Sequence, residues 1–600
     1  MRGSKILPAM RRLLGGAPRL LASRWLPPAA ILLALLLVSP CLGVGPMGDD
    51  YMLMARVDPH VHAPGFAYAP FDLFTFVSGD PAQRAVLLEE GVFGWWMAPD
   101  FRMSFWRPLS ALTHVLDHRL WPRSWVLAHA QSMLWFAALL AVLGALYRRF
   151  HEPWVAHLAL LLYAVDDAHA WVLGWVANRN ALVAAALAFA ALLAHDRARR
   201  DGWRPGTWLA PALFAAGLLG GEAALAVTGY LFAHALFLDS GPLRRRMTRL
   251  LPYAALSIAW LIAYSGLGYG TRGGGMYLNP LNEPTLYLRA LVERLPVLLA
   301  AQVGLSVSDV WLALPPPLQI AAYVLALVVL LVVAALLVPL WRLSPACRFW
   351  VVGAVLSLPI ACATFPMDRL LVFAGVGAMA AIALVFAEWL QGEAYGTLPQ
   401  PRRALAAVAV SLLAVSHLVL APLLLPPRVM TLGLMARMGE RLEASIPRDE
   451  SVRGKVLVIP TSAAEMTAFP PWMQRQVSGV PRPRRMRVLA TCFSDVRVSR
   501  PDARTLRLRP EEGFLDNGLL RMVRGPSRPF HAGDEVVLSD MRVRVREVTP
   551  DGRPAEADFT FAVPLEDPSL LWMRLYAGGT LKPWTPLAVG ESQVLPSVAR

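Results

Sequence analysis

The sequence predicts a polytopic α-helical membrane protein with about eleven transmembrane helices, followed by a C-terminal β-rich domain outside the cytoplasm. Three observations lead there. The 600 residues are 56% hydrophobic and 16% charged, with a mean hydropathy of +0.47, whereas soluble chains are nearer ~45–50% apolar. Apolar runs recur from residue 26 to residue 425, and a hydrocarbon core of about 30 Å takes about 20 helical residues to cross. Beyond residue 450 the pattern changes to alternation with period two, which is how strands with one buried face read.

In order, the apolar runs lie near 26–46, 125–146, 154–166, 180–195, 207–220, 223–238, 250–266, 318–340, 349–364, 370–389 and 404–425. The third, fifth and sixth are short for a crossing and are expected to tilt little or to end inside a water-filled cavity. Arginines mark alternate ends. Arg11, Arg12, Arg19 and Arg24 precede the first run, Arg148 and Arg149 follow the second, and Arg197, Arg199 and Arg200 follow the fourth. Arg244, Arg245, Arg246 and Arg249 follow the sixth, and Arg342 with Arg348, then Arg402 with Arg403, continue the series. Lys and Arg collect in short cytoplasmic segments, so the N-terminus is expected inside and the C-terminal domain outside. The net charge of +15 is then a topology signal plus a basic tail, and nucleic-acid binding is set aside. A basic head before an apolar run also describes a secretory signal; the continued runs downstream favour an anchor. Cys41, Cys347, Cys362 and Cys492 lack metal or redox spacing and read as packing residues.

The expected organisation is a cytoplasmic N-terminus over 1–25, a transmembrane domain over 26–425 with external loops 47–124 and 266–317, a linker over 426–450 and a β-rich domain over 451–600. The first loop is too long for a simple connector. Its segments DPAQRAVLLEEGVFGWW and WRPLSALTHVLDHRLW have helical periodicity broken by Trp and Arg, as in helices lying in the membrane interface. The second loop opens with YSGLGYGTRGGGMYLNP. These glycines fit neither a P-loop nor a dinucleotide fingerprint, and a flexible flap over a cavity is expected. In the tail, KVLVIPTS, RMRVLATCF, DVRVSRP, TLRLRP, MRVRVREV and DFTFAVPL read as strands, with Asp551-Gly552 as a hairpin turn. A small antiparallel sheet domain is expected.

Candidate chemistry gathers at the outer ends of these runs. Asp49 and Asp50 directly follow the first; at a membrane boundary they stay hydrated, while at mid-bilayer each charge would cost roughly 2.5–3.5 kcal/mol. Asp166 and Asp167 close the third run, with His169, Asn178 and Arg179 close behind. Glu222 lies between the fifth and sixth, and Asp368 with Arg369 between the ninth and tenth. By the alternation, all face one compartment, as a membrane-embedded active site requires. Taken singly, Glu222 and Asp368 also read as solvated helix caps. Asp167 and His169 offer two ligands to a divalent cation, against a hydrogen-bonded interfacial His. Arg107, beside Trp106 and ahead of Pro108, suits a bidentate phosphate clamp or a snorkelling interfacial role. Arg369 is the second such cation, or the partner of Asp368 in a local ion pair.

An aspartate pair after the first run, a loop ending in WRPL, WVANRN after the third run and a later Gly-Glu before a short apolar run together resemble the GT-C fold glycosyltransferases. The protein O-mannosyltransferases and the TPR-containing transmembrane mannosyltransferases are the nearest types. The resemblance covers about residues 26–380 and rests on order and topology. GGE stands where the mannosyltransferase-like relatives carry Ser-Lys-Glu, DDAH where they carry His-Pro-x-His, and the tail shows no TPR repeat. The resemblance implies a sugar carried on a polyprenyl phosphate and passed, with inversion, to a glycan, lipid or protein acceptor outside the cytoplasm. It implies Asp49 or Asp50 as general base and Arg107 or Arg369 on the departing phosphate. Asp167 and Glu222, with Asp166, His169 and Arg179 around them, would orient sugar hydroxyls or hold a divalent metal if one is used. The preference for Arg over Lys points to a GC-rich genome and a bacterial inner membrane. The alternatives are a transporter or flippase of a lipid-linked or anionic solute, which would call for repeats and mid-span charges that are not seen, and a non-catalytic envelope scaffold.

Overall fold

A computed structural model describes residues 17–304, 308–392, 394–464 and 467–598; Arg11 and Arg12 lie outside the described residues. Each of the eleven apolar runs is helical. Among the described residues, seven helical stretches are long and apolar enough to cross a membrane: Leu26–Gly43, Trp125–Tyr147, Val176–Arg200, Leu243–Gly266, Pro316–Leu343, Val372–Gln391 and Gln400–Ala444. Four shorter apolar helices, Pro153–Ala164, Gly206–Gly220, Glu222–Phe237 and Pro345–Ala361, coincide with the third, fifth, sixth and ninth runs. The chain is an integral membrane protein. Ile320, Leu331 and Leu343 of the helix Pro316–Leu343 are about two-thirds exposed, as befits an apolar helix that faces lipid tails.

The helix Val372–Gln391 lies deep in the bundle, and small residues let its neighbours come close. A Cβ on Gly377 would stand 2.3 Å from the Trp350 carbonyl oxygen, so only glycine permits that approach. Three tyrosines from three other helices then satisfy its first turns: Tyr147 donates to the Val376 carbonyl at 2.8 Å, Tyr163 to Val372 at 2.9 Å and Tyr230 to Phe373 at 2.7 Å. At one end of the bundle the predicted basic segments meet each other. Arg149 bridges Asp196 and Asp201 at 2.6 Å each, and Arg249 reaches Asp239 at 3.0 Å.

The last helical stretch runs on to Ala444, so residues 426–444 are not the expected linker. Leu425, Val429, Leu432 and Ala436 form a buried stripe at helical spacing. Leu432 fits against Gly174, where a Cβ would come within 2.3 Å of its Cδ1. This packing holds the helix together although Pro426 and Pro427 each remove a backbone donor.

At the opposite end of the bundle, the first loop is built of the helices Asp49–Val57, Pro81–Glu90 and Pro108–Leu120, and of strands β1 (Thr75–Val77) and β2 (Arg102–Ser104). Strand β3 (Gly270–Arg272) from the second loop completes an antiparallel sheet in the order β1-β2-β3. The glycine-rich segment is therefore no loose flap. Gly275 N–H donates to the Arg521 carbonyl and Gly525 N–H to that of Gly273, both at 2.9 Å. A Cβ on Gly274 or Gly275 would lie 2.5 or 2.6 Å from the carbonyl oxygens of Met522 or Arg521. The glycines serve close backbone approach rather than mobility. Nor does the helix Pro81–Glu90 lie in the membrane interface. Leu87 and Leu88 are buried, and the Arg487 guanidinium donates to the carbonyls of Leu88 and Glu89 at 2.9 Å each, docking the helix on the C-terminal domain. The helix Pro108–Leu120 does expose Leu112, Leu116 and Leu120, one apolar residue per turn.

The C-terminal strands are β4 (Val456–Ser462), β5 (Arg485–Thr491), β6 (Val496–Ser499), β7 (Thr505–Pro510), β8 (Glu535–Val537), β9 (Met541–Val548), β10 (Pro554–Phe561), β11 (Leu570–Tyr576), β12 (Thr580–Pro583) and β13 (Ser592–Leu595). Six make an antiparallel sheet, β13-β6-β7-β10-β9-β8, in which Asp551-Gly552 turns β9 into β10. The other four are ordered β12-β11-β4-β5, with β4 parallel to both neighbours, so the domain is mixed rather than wholly antiparallel. All seven residues of β4 are buried, the mark of a strand covered on both faces. The crossover to β5 passes through the helix Phe469–Ser478. First loop and C-terminal domain share one core. Trp95 inserts among Phe514, Phe530 and Phe559, with ring centroids 5.6–5.8 Å apart, and its Nε1 donates to the Leu489 carbonyl at 2.9 Å.

Candidate functional site

A cavity of about 460 Å³ opens between the three-stranded sheet, the ends of the central helices and the second loop. Phe74, Phe105, Trp260, Tyr264 and Tyr269 give it an aromatic wall, and its charged residues are Asp49, Arg107, Glu222 and Arg369. Four residues from four distant predicted segments thus meet in one place.

Asp49 and Asp50 open the helix Asp49–Val57, entered through Gly48 at φ +43°, a left-handed backbone that favours glycine. Consecutive side chains leave a helix about 100° apart, so the pair cannot face one way. Asp49 lines the cavity, and among the described residues its carboxylate has no ion pair. Asp50 is buried and accepts from Ala177 N–H at 2.7 Å and Met47 N–H at 2.9 Å. Burial pushes the Asp49 carboxyl up to about 6, with Arg369 and then Arg107 pulling against it. Asp50 is pushed to about 7, again by burial, against the two backbone donors.

The WVANRN segment divides in the same way. Trp175 and Asn178 line the cavity, while Arg179 points away and is completely buried. It pairs with Asp117 at 2.6 Å and donates to the Ala128 carbonyl, Ser132 Oγ and Thr113 Oγ1. Arg179 fastens helices together and does not reach the cavity.

Arg107 stands before Pro108 at the head of its helix, as expected, with its guanidinium 5.1 Å and 4.4 Å from the ring centroids of Phe74 and Phe105. It is held by Glu222 in a two-point pair, Nε to Oε2 at 2.9 Å and Nη2 to Oε1. Both groups are in the cavity, and each cancels the other's charge. Arg369 is different: its guanidinium lies 5.5 Å from the Trp175 ring and 5.9 Å from Phe365, and among the described residues it has no ion pair and its Nε no hydrogen-bond partner. It does not pair with Asp368, which turns away to Arg428 at 2.6 Å.

Asp166, Asp167 and His169 lie outside the cavity lining. Asp166 caps Ala168 N–H and accepts from Gln302 Nε2 at 2.9 Å. Asp167 pairs with Arg428 at 2.6 Å. His169 is buried between Phe136 and Tyr163, its Nε2 2.7 Å from the Tyr163 carbonyl oxygen. Among the described residues no group of three His, Cys, Asp or Glu side chains is placed to hold a metal ion. The sequence reading missed Asp309 and Arg428, which join Asp167 and Asp368 in one cluster. The available signal was an arginine following an apolar helical run, which calls for an acidic partner.

Chemically, the cavity offers a carboxylate in Asp49, a guanidinium without an ion pair in Arg369, and the buried donors Trp175 Nε1, Trp260 Nε1 and Asn178 Nδ2, which have no partner among the described residues. Buried donors without partners favour an acceptor-rich ligand.

No protein-family model matches the sequence, and no curated protein does. Among solved structures, the archaeal oligosaccharyltransferase AglB from Archaeoglobus fulgidus, in complex with an inhibitory peptide and a dolichol-phosphate, aligns over 78% of this chain at 12% identity and a TM-score of 0.39. This chain spans 65% of that protein's length. ArnT from Cupriavidus metallidurans, bound to undecaprenyl phosphate, aligns over 74% of this chain and 84% of its own at 12% identity and a TM-score of 0.34. Alignments this loose transfer no role to any residue.

Proposed function

We propose that this chain is a membrane glycosyltransferase of GT-C type, moving a sugar from a polyprenyl-phosphate donor to an acceptor hydroxyl outside the cytoplasm with inversion at the anomeric carbon. One observation carries the reading: a carboxylate, Asp49, and a guanidinium, Arg369, neither with an ion pair among the described residues, line the same aromatic cavity. Asp49 takes the acceptor hydroxyl's proton as its oxygen bonds to the anomeric carbon. The bond from that carbon to the phosphate oxygen breaks, the electron pair leaves with the phosphate, and Arg369 stabilises the charge. A single displacement inverts the centre. The Arg107–Glu222 pair presents both donors and acceptors to sugar hydroxyls, while Asp50 fixes the backbone that aims Asp49. The N-terminus lies in the cytoplasm and the β-rich domain in the periplasm of a bacterial inner membrane, facing a glycan, lipid or protein acceptor.

The test uses the full-length protein in detergent, a set of polyprenyl-phosphate sugars and an envelope extract as acceptor, with release of polyprenyl phosphate as the readout. A positioned base contributes about 10²–10⁴-fold, and Asp49→Asn is expected to lose that much while Asp50→Asn loses less. Full activity in Asp49→Asn sinks the base assignment, and no release from any donor by the native protein sinks the reading.

A further inference from the structure

Arg428, on the last helical stretch, binds carboxylates from three separate segments: Asp167 at 2.6 Å, Asp368 at 2.6 Å, and Asp309. None of the four lines the cavity, yet two chains of contacts lead from the cluster toward Arg369. Asp368 is its chain neighbour, and Asp368 N–H donates to Asp309 Oδ1 at 2.8 Å. Asp309 Oδ2 accepts from Trp171 Nε1 at 3.1 Å. Trp171 packs edge-on against Trp175 with centroids 6.4 Å apart, and Trp175 is the ring facing the Arg369 guanidinium. Three carboxylates stand against one guanidinium in this cluster, and one of them, Asp368, is the chain neighbour of a cation that has no ion pair among the described residues.

We propose that Arg428 is a positioning residue that keeps Arg369 open to an anion, by sequestering the three aspartates that would otherwise capture it. Partly buried carboxylates seek a cation; with Arg428 present they have one, and Arg369 keeps its charge for a ligand. Two routes, through Asp368 and through Asp309, Trp171 and Trp175, also fix where the Arg369 side chain lies. The inference rests on the assignment of Arg369 as the phosphate site.

The full-length protein in detergent is titrated with undecaprenyl phosphate and, separately, with inorganic phosphate. Because charge-assisted hydrogen bonds to the phosphate are lost when a neighbouring carboxylate captures Arg369, Arg428→Gln is expected to weaken binding about tenfold or more. Arg428→Lys retains most of the affinity, and Arg428→Gln with Asp167→Asn, Asp309→Asn and Asp368→Asn recovers it, because all three competing carboxylates are gone. If Arg428→Gln does not fold, Arg428→Gln with Asp167→Asn and Asp309→Asn leaves Asp368 as the one competitor. That variant is expected to bind weakly, and adding Asp368→Asn to restore binding. Unchanged affinity in the folded charge-removed variants, with only a lower melting midpoint, makes Arg428 structural and overturns the inference while leaving the glycosyltransferase reading intact. No binding by the native protein overturns both.

Discussion

At the first turn of the helix Asp49–Val57, one rotation of about 100° separates a carboxylate that lines a cavity from one that caps backbone. That difference has consequences in pH. With the Asp49 carboxyl at about 6, the base form is lost below that pH. The kcat/KM for sugar transfer is therefore expected to fall about tenfold per unit of acidification below it and to level off above; a flat profile from pH 5 to 8 contradicts the assignment. Stability runs the opposite way. Both carboxyls are raised above their ordinary 3.8, to about 6 and about 7, so the folded protein binds more protons than the unfolded chain between those limits. Stability falls as pH rises through that window. Asp49→Asn removes one contribution, and its melting midpoint, measured against pH, is expected to decline less steeply than that of the native protein. The pair was visible in the sequence because two acids at a membrane edge need a reason. Which one faces the cavity was not, because Gly48 and the N–H of Ala177, residues 127 positions along the chain from Asp50 in the latter case, decide the orientation.

Among the elements, the helices and most strands follow from periodicity alone, since an apolar run or an alternating one has few ways to bury itself. The elements that differ from expectation are those whose partners lie far away in sequence. The helix Pro81–Glu90 has the apolar stripe of an interfacial helix, and only Arg487 and the C-terminal core redirect it. The glycine-rich segment has the composition of a flap, and only the carbonyls of Arg521 and Met522 make it a seam. Trp95 anchors this region in the core of the β-rich domain. Cutting a buried Trp to Ala typically costs about 3–5 kcal/mol; Trp95→Ala is expected to lower the melting midpoint and to open the 81–100 segment to limited proteolysis. An unchanged cleavage pattern counts against a shared core.

Across the whole molecule, the candidate cavity and the β-rich domain lie at the end of the bundle opposite the paired arginines Arg149 and Arg249. Cysteine accessibility tests the proposed orientation in the membrane. The native cysteines are all buried, so background labelling is low. Ala532→Cys in the β-rich domain and Arg245→Cys at the basic end occupy exposed positions. A membrane-impermeant maleimide is expected to label Ala532→Cys in cells with a permeabilised outer membrane, and Arg245→Cys after lysis alone. The reverse pattern inverts the topology and places the cavity in the cytoplasm. The long final helix ties the two halves together: it carries Arg428 beside the cavity and, farther on, Glu443, which pairs with the buried Arg475 of the β-rich domain at 2.9 Å.

By itself the sequence determined the helical runs, the alternating basic ends, the strands of the tail and the set of polar residues at one face, because each follows from local hydrophobic pattern or from the cost of charge in lipid. Only the tertiary structure decided which of those residues share a cavity. Among the described residues Asp49 and Arg369 have no ion pair, whereas Arg107 is matched by Glu222, Arg179 by Asp117, and Asp167 and Asp368 by Arg428. Whether a charge is available to a ligand depends on its neighbours in space, and in this chain those neighbours come from segments 60 to 261 residues apart.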